Sequence, residues 1–462
     1  MQIFRMTLSC PHKIFIYRIL FLFVLLRMTS WAEPVKAQFI FSGDFSLRGE
    51  YYNIRRTFSD SSRSSFYNVL GYGELDLRYN SKRFGAYLSL GASFTKGSNL
   101  SSISVPAYFN ANVYEAWVRF NFNKNLSLQA GRIQIDYTTN LFFQSRDWNR
   151  LVTSHNAIIL HYLKPDTSLW ADIGFAFNRP GKDYIILSTD PDINNYRYMG
   201  WLYAMKKLFD GQLTLTFNDT YDANDNGIDM NTLYLKNTIG GTAWIAWSSW
   251  DVNIVGYYQF GHIPDGRRLS ANYYAAYVAF HPFEWFNLVP AFEHFGGNDL
   301  SDSIGMKTTV HGFSLLYGNT VKNIGAGGLF NGMTRSNEHT GLNNLSFKAI
   351  FILSEKISIE ATYHWLSLPH PYIRQLVPDT LLVRIVKVPP SFMHSAELNF
   401  SWLPIPNLEL IFDYALLFPG AGMQNFNGWS FQNGKPVSYA WVSIEWTPVF
   451  LIRNRKKPSA FH

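Results

Sequence analysis

Residues 112–136, NVYEAWVRFNFNKNLSLQAGRIQID, show the pattern that decides the fold class. From 118 to 122 every second residue is apolar, and the residues between them are Arg119 and Asn121. A two-residue period is that of a β-strand with one apolar face. The turn-forming residues 123–125 separate this segment from a second one, in which Ile133 and Ile135 alternate with polar residues. The stretch therefore predicts a β-hairpin.

Similar segments recur along almost the whole chain and predict an all-β protein. In residues 72–79, Leu75 and Leu77 alternate with Glu74 and Asp76, which predicts leucines facing outward and carboxylates facing inward. The sequence predicts a single transmembrane antiparallel β-barrel of about 18 strands, within a range of about 16–20, with short turns on one side and long extracellular loops on the other. The predicted strands are 39–52, 72–79, 84–94, 112–122, 126–136, 158–162, 169–177, 196–208, 212–219, 233–239, 243–247, 252–260, 273–280, 286–294, 308–317, 345–353, 357–365, 392–402, 408–414 and 438–452.

The composition favours a membrane barrel over a soluble one. Aromatic residues make up 17% of the chain and charged residues only 16%, against about 25% charged in ordinary soluble domains. The apolar residues are nevertheless spread out, and no run after the first 37 residues is long enough for a transmembrane helix. A soluble β-sandwich or propeller is disfavoured because the predicted outward faces are too continuously apolar for water.

The N-terminal segment has the pattern of an export signal. Basic residues precede a short apolar run at 19–26, and the small residues around Ala37 predict cleavage before Gln38. The sequence thus predicts a cleaved signal peptide at 1–37, an outer-membrane barrel at 38–452 and a basic periplasmic tail at 453–462. The only cysteine, Cys10, lies in the signal, so disulfides and thiol chemistry are excluded from the mature chain.

Charge excludes nucleic acid as an expected partner. Beyond residue 37 there are 35 Lys and Arg against 32 Asp and Glu, a formal net charge of +3. Four of the positive charges lie in the C-terminal tail, at Arg453, Arg455, Lys456 and Lys457. The body of the chain is therefore near neutral, and it lacks the basic face that nucleic acid requires. The expected partners are outer-membrane lipid and a hydrophilic solute or polysaccharide; a periplasmic partner is unknown.

Three segments are too long to be simple turns: 318–344, 369–390 and 418–436. A wide barrel must restrict its lumen, and loops that fold inward are the usual means. Loops standing in solvent are the alternative for each of the three.

The two-residue alternation of apolar residues changes phase within the second predicted strand, residues 126–136. Leu128 and Ile133 cannot share one face of a regular strand, and Ala130-Gly131 lies between them. The slip predicts a β-bulge that turns Arg132 inward.

This region resembles the alginate-export family of outer-membrane barrels. The similar elements are 116–120, the Leu-Ser-Leu-Gln-Ala-Gly-Arg run ending at Arg132, Tyr137, the Arg-Asp-Trp motif at 146–148 and the returning strand at 155–162. The glutamine that usually follows Gly-Arg is displaced here to Gln134. The resemblance implies an 18-stranded channel whose basic constriction passes an anionic polysaccharide.

The resemblance assigns a basic pore lining to Arg132, Arg146 and Arg150, with Asp147 orienting them. An arginine in a partly desolvated pore offers a planar fork to carboxylates. Gln134, Asp136, Arg119 and Glu115 are the other pore-lining candidates. The alternative is that these arginines pair structurally with Asp136, Asp147, Glu115 or Glu74.

A weak calcium candidate lies at residues 222–229, where Asp222, Asn224, Asn226 and Asp229 precede or flank a glycine. The spacing is that of the first half of a calcium loop, but the position of the bidentate glutamate is Leu233. An exposed Asp/Asn/Gly-rich turn is the alternative. No other cofactor is predicted.

The sequence predicts no enzyme, because its histidines lie on separate predicted strands without a GxSxG-type serine motif. It predicts a passive outer-membrane channel for passage or export of a hydrophilic solute or polysaccharide, either anionic or neutral. A general or small-solute porin is the alternative, and a structural or adhesive barrel is the third hypothesis.

Overall fold

The computed structural model describes residues 38–53, 65–97, 105–137, 143, 154–178, 196–225, 232–299, 308–315, 340–370, 372–376, 384–388, 391–420 and 436–454. The strands are β1 (Gln38–Asn53), β2 (Ser65–Asn80), β3 (Phe84–Gly97), β4 (Val105–Asn121), β5 (Leu126–Gln134), β6 (Ser154–Leu163), β7 (Leu169–Phe177), β8 (Tyr198–Leu208), β9 (Leu213–Asn224), β10 (Tyr234–Ala246), β11 (Trp250–His262), β12 (Arg268–Phe283), β13 (Phe286–Phe295), β14 (Thr309–Val310), β15 (Leu342–Ser354), β16 (Ile357–Ser367), β17 (Tyr372–Leu376), β18 (Arg384–Val388), β19 (Ser391–Ile405), β20 (Leu408–Pro419), β21 (Val437–Trp446) and β22 (Val449–Asn454). Among these residues, no helix is both long enough and apolar enough to cross a bilayer.

The strands form a closed antiparallel barrel. Each wall strand pairs with its neighbours in chain order, and β1 pairs with both β21 and β22, which joins the two ends of the sheet. β21 and β22 together form one strand of the wall, which is interrupted by a register shift. The wall therefore has 18 strands. β14 lies outside this count, as does the separate β17–β18 hairpin. The predicted fold class and strand number are confirmed.

The two ends of the barrel differ. At the end where Gln38 pairs with Asn454, strands are joined by connections of two to five residues, and we call this the turn end. At the opposite end, which we call the loop end, most connections are longer and one spans 296–341. This is the expected asymmetry of outer-membrane barrels.

One turn-end connection shows how these turns are stabilised. At residues 164–168, Asp166 accepts hydrogen bonds from Lys164 Nζ (2.6 Å) and from the backbone N–H of Ser168 (3.0 Å). Both donors favour the carboxylate, so they lower the pKa of Asp166.

The outward faces form an apolar belt. Leu75 and Leu77 are exposed on the outside, whereas Glu74 and Asp76 are buried on the inside, as predicted. Aromatic side chains are exposed near both rims: Trp250, Trp285 and Trp446 near the turn end, and Tyr51, Tyr67, Phe94, Tyr198, Tyr274 and Trp365 near the loop end. Such girdles are typical of membrane barrels.

The strand predictions are wrong in two places. Residues 233–247 were predicted as two strands broken near Gly240-Gly241, but β10 is continuous. A Cβ at Gly240 would lie 2.1 Å from the carbonyl oxygen of Gly256, so the glycines mark a close approach of neighbouring strands and not a turn. Residues 308–317 were predicted as a wall strand. Within the described part of this range, residues 308–315, only β14 forms strand pairs with the wall, and it runs parallel to β12.

The buried apolar core lies inside the barrel, toward the loop end. Inward side chains there are almost completely covered, including Ala176, Phe295, Leu342 and Met393. Inward side chains nearer the turn end are more exposed, such as Lys348. Protein therefore fills much of the loop-end half of the lumen, while the turn-end half is open to solvent.

Candidate pore lining and constriction

The inner wall is formed by the polar residues that alternate with the outward-facing apolar residues along each strand. Because successive side chains on a strand point to opposite faces, every membrane-facing residue leaves its neighbours facing the lumen. The polar side chains so placed bond across strands. Glu293 on β13 accepts hydrogen bonds from Tyr277 (2.6 Å) and Tyr273 (3.1 Å) on β12 and from Asn344 (2.7 Å) on β15. His364 on β16 extends this network through Asn344 Oδ1 (2.9 Å).

A second network surrounds Asp172 on β7, which is buried. One carboxylate oxygen is 2.7 Å from Trp170 Nε1 and 2.8 Å from His161 Nδ1, and the other accepts from Tyr137 Oη at 3.1 Å. His161 Nε2 is 3.1 Å from Gln129 Oε1. With this many partners, the carboxylate is fixed in place and its burial is compensated.

The Asp172 network anchors the start of the connection between β5 and β6. The ring of Tyr137 stacks on Tyr203 with centroids 4.0 Å apart, and its hydroxyl accepts a hydrogen bond from Trp201 Nε1 at 2.7 Å. Phe143, which is 2% exposed, packs against Tyr137 and Trp201. Residues 137 and 143 of this connection therefore lie inside the barrel, against β6–β8.

Residues 308–315 form another segment that folds inward; we call it the inner segment. Gln259 on β11 pairs with the backbone of Ser314, donating to its carbonyl oxygen (2.7 Å) and accepting from its N–H (3.0 Å). The backbone N–H of His311 donates to Asn298 Oδ1 at 2.6 Å. Phe313 stacks on Tyr273 of β12 with centroids 5.5 Å apart. The inner segment thus covers part of the wall formed by β11–β13 and narrows the lumen.

Two of the predicted pore-lining residues face the lumen. Glu115 and Arg119 on β4 are paired with Ser89 and Gly85 on the inward face of β3. Glu115 accepts from Trp117 Nε1 (3.0 Å). The β3–β4 register places both side chains on the inner wall, and their role in a pore lining stays a prediction.

The predicted bulge in β5 is wrong. The pairing of β5 with both neighbours is regular, and the bulge lies instead in β4, where Tyr114 is the extra residue between the Leu90–Val113 and Ser89–Glu115 pairs. The apolar order slips because Ile133 faces inward, where it is buried in the loop-end core. Gly131 supports the close pairing of β5 with β4, with a φ of 137°.

Arg132 and Gln134 consequently do not have the inward orientation that was predicted. Arg132 is paired with Ala116 and Asn156, and it lies on the outward face of β5 together with Leu128. Its Nε donates to the carbonyl oxygen of Val113 at 2.9 Å. Gln134 lies on the same outward face of β5. Its backbone N–H donates a hydrogen bond to Glu115 Oε2 at 3.2 Å.

Asp136 is exposed and follows the end of β5. Arg146, Asp147 and Arg150 lie outside the described residues, so their place in the pore lining stays a prediction.

The calcium candidate is divided between a strand and residues outside the described part. Asp222 and Asn224 belong to β9, where Asp222 is buried, 3.6 Å from Lys236 Nζ and hydrogen-bonded by Asn224. Asn226 and Asp229 are outside the described residues. Within the described ranges, no group of three His, Cys, Asp or Glu side chains is arranged to hold a metal ion. Calcium binding stays an untested prediction.

Several lumen residues were not singled out from the sequence. Arg48 on β1 lies between Glu50, whose Oε1 is 3.0 Å from its Nε, and Tyr439 on β21, whose hydroxyl is 2.6 Å from its Nη2. The inward parity of Arg48 and Glu50 was available from the alternation in β1. The partner on β21 was not, because it follows 391 residues later.

Comparison with known proteins shows a shared fold without a detectable sequence relationship. No protein-family model matches the chain, and no curated protein sequence matches it. Three crystal structures from Pseudomonas aeruginosa are similar. OccK11 (OpdR) has a TM-score of 0.56 at 10% identity, covering 91% of this chain and 100% of that one. OpdK, solved with vanillate, has 0.55 at 9%, covering 89% and 99%. OccK2 (OpdF), in complex with glucuronate, has 0.52 at 10%, covering 90% and 98%.

These identities establish likeness of fold alone. The closed wall of 18 antiparallel strands, its outward apolar belt and the fold that it shares with OpdK, an outer membrane protein, define the class of this chain. It is a multi-pass β-barrel of the outer-membrane, porin-like type.

Proposed function

We propose that this chain is a passive outer-membrane channel for small hydrophilic solutes. The observation that carries the proposal is the division of the lumen into a polar, solvent-exposed half at the turn end and a loop-end half occupied by inward-folded residues. A polar lining can replace the hydration of a small solute. The loop-end residues leave less room for a polymer than an open barrel of this width would.

The small-solute alternative accounts for the structure better than polysaccharide export. Among the residues predicted to form a basic lining, Arg132 has outward parity, and the described wall contains inward carboxylates on many strands. Two of the similar barrels were solved with small molecules, OpdK with vanillate and OccK2 with glucuronate. Both facts favour a channel for small solutes over one for a polyanion.

The proposal is tested by osmotic swelling of liposomes that contain the refolded protein. The solutes are a series of neutral mono-, di- and trisaccharides, together with glucuronate and long oligouronates. We expect monosaccharides to enter fastest, larger sugars progressively more slowly, and long oligouronates not at all. Protein denatured before reconstitution is the control.

Two outcomes would contradict the proposal. Entry of long oligouronates at a rate similar to that of monosaccharides would favour polysaccharide export. No swelling with any solute, from protein whose barrel is folded by gel mobility, would favour a structural or adhesive barrel.

A further inference from the structure

Asp219 on β9 is a carboxylate on the membrane-facing side of the wall. It is paired with Leu202 on β8 and with Ile239 on β10. Its neighbours on the outward face of β9 are Phe217 and Tyr221, and both are exposed. Within the described wall strands, no other Asp or Glu lies on the outward face. A charged side chain next to lipid is costly, so an ionisable residue in such a position needs a partner.

The carboxylate has one hydrogen bond in the described part of the chain. Asn237 Nδ2 on β10 donates to Asp219 Oδ1 at 2.8 Å. Asn237 lies on the outward face of β10 and is only 4% exposed, and its amide oxygen is buried without a hydrogen-bond partner. An unpaired buried acceptor is unfavourable until a donor reaches it. We call Asp219 and Asn237 the acceptor pair. The half-buried carboxylate is the group that a donor from outside would meet first.

Arg132 on β5 is complementary to the acceptor pair. In the described residues its only hydrogen bond runs from Nε to the carbonyl oxygen of Val113, at 2.9 Å, so both terminal guanidinium nitrogens lack a protein acceptor there. Asn156, which is opposite Arg132 on β6, is exposed on the same outward face. A guanidinium offers a planar fork of donors that fits a carboxylate.

Arg132 and Asp219 lie at the same depth in the membrane. Each is the seventh residue of a strand that begins at the turn end, β5 at Leu126 and β9 at Leu213. The other outward-facing cations of the described wall strands are near a rim: Lys96, Lys206, Arg268 and Arg453. Within one copy, Arg132 and Asp219 are four strands apart, a separation of about 19 Å along the outer surface. They can therefore form an ion pair only between two copies.

The surface around Asp219 is suited to close approach of a second barrel. Four small residues flank it on the outward faces of the neighbouring strands: Gly200 and Ala204 on β8, and Gly241 and Ala243 on β10. Small residues allow protein backbones to approach each other closely in a membrane, and polar side chains then form hydrogen bonds across the contact. Because lipid does not screen charge as water does, an ion pair at this contact is stronger than one on a wet surface.

We propose that copies of this chain associate side by side in the outer membrane, with Arg132 of one copy bonded to Asp219 of the next. The interface is heterologous, since β5–β6 of one copy meets β9–β10 of its neighbour, and repeating such a contact closes a ring. Each of the 18 strands takes up about 20° of the wall, so the two faces are about 80° apart. Rings of three and of four barrels require about 60° and about 90°, so we expect a ring of three or four copies.

The test is cross-linking between two single-cysteine variants in outer membranes. Residues 38–462 contain no cysteine, so each variant carries one thiol in the barrel. I158C and F217C place a thiol on each face and leave Arg132 and Asp219 intact, because both positions are exposed on the outside. The two chains carry different affinity tags, are produced together and are treated with a short bismaleimide. We expect a mixed dimer that carries both tags, and little cross-linking of either variant with itself.

Charge exchange tests the ion pair directly. In the two-cysteine mixture, D219R should abolish the mixed dimer, because two guanidinium groups then face each other. Adding R132D to D219R restores opposite charges and should restore the dimer. Heat-dependent gel mobility establishes that each variant forms a folded barrel. L398C paired with F217C is the matched control, since Leu398 is 45% exposed to lipid on β19, away from both faces, and should give no mixed dimer.

Three outcomes from folded protein would overturn the proposal. They are the absence of the I158C–F217C dimer, a dimer whose yield is the same in D219R, and a D219R variant that R132D does not restore. Self cross-linking of F217C as strong as the mixed product would also overturn it, because the contact would then be isologous. Cross-linking does not require conduction, so each result is independent of the proposed channel function.

Discussion

Gly131 occupies a backbone conformation that other residues rarely adopt. Its φ is 137°, and a Cβ at this position would lie 2.2 Å from the carbonyl oxygen of Ala116 on β4. We expect Gly131→Ala to destabilise the barrel by about 1–3 kcal/mol from backbone strain, with the steric overlap adding to it. The measurement is the midpoint of urea unfolding of the refolded barrel, followed by tryptophan fluorescence.

The matched control for this variant is Gly256→Ala on β11. No atom lies within 4 Å of a Cβ built at Gly256, so its unfolding free energy should change by no more than about 0.5 kcal/mol. If the two variants unfold at the same urea concentration, the conformation of Gly131 is not a constraint on the fold.

The orientation of single residues was predictable wherever the barrel has lipid on one side and water on the other. Glu74 and Asp76 were placed inward from the two-residue period alone, and the structure confirms this. The same rule failed at Ile133, because the lumen beside it is filled with protein and an apolar side chain can face inward there. The assignment of Arg132 to the pore came from the family resemblance, and the alternation around Ile133 gave no warning against it.

At the scale of the element, one side chain makes two of the hydrogen bonds that hold the inner segment against the wall. Gln259 makes both hydrogen bonds to Ser314, and its Nε2 is also 3.2 Å from Thr238 Oγ1. Gln259→Ala removes these bonds and leaves the buried backbone of Ser314 without partners, which costs about 1–3 kcal/mol per unsatisfied group. We expect the inner segment to detach more often, so single-channel recordings should show higher mean conductance and more open-channel noise.

Gln212→Ala is the control, since Gln212 is exposed in the connection between β8 and β9 at the turn end. It should leave conductance and noise unchanged. Wild-type conductance in Gln259→Ala, together with reduced stability, would mean that the inner segment supports the wall without narrowing the pore.

The inner segment also shows where prediction of elements from sequence ends. Its alternation of apolar residues led to a predicted wall strand, because packing against the inner surface of a barrel produces the same period as packing against lipid. Which surface the apolar residues face depends on contacts with distant residues such as Gln259, which lies 55 residues before Ser314 in the chain. The wall strands themselves were predictable, since each carries its own period and its own turn.

At the scale of the whole molecule, the barrel is sealed by the pairing of β1 with β21 and β22. Residues 38–42 of β1 pair only with β22 on this side. Deletion of residues 447–462 should therefore leave a row of backbone groups unpaired in the bilayer, at several kcal/mol for each group. We expect the truncated chain to lose the heat-dependent gel mobility shift of a folded barrel.

Deletion of residues 455–462 is the matched truncation. It removes basic tail residues but no described strand pair. This shorter deletion should retain the mobility shift. A folded barrel from the longer deletion would show that the seam with β22 is dispensable.

The same seam has a kinetic consequence. Arg48 on β1 and Tyr439 on β21, which meet across this seam, are 391 residues apart in the chain. Contacts between such distant residues form late and slowly, because the entropy of ordering the intervening chain is lost before the contact is gained. Until the seam closes, β1 and β21 are open edges able to pair with other chains. The chain is therefore most exposed to pairing with other chains during the interval before this seam closes.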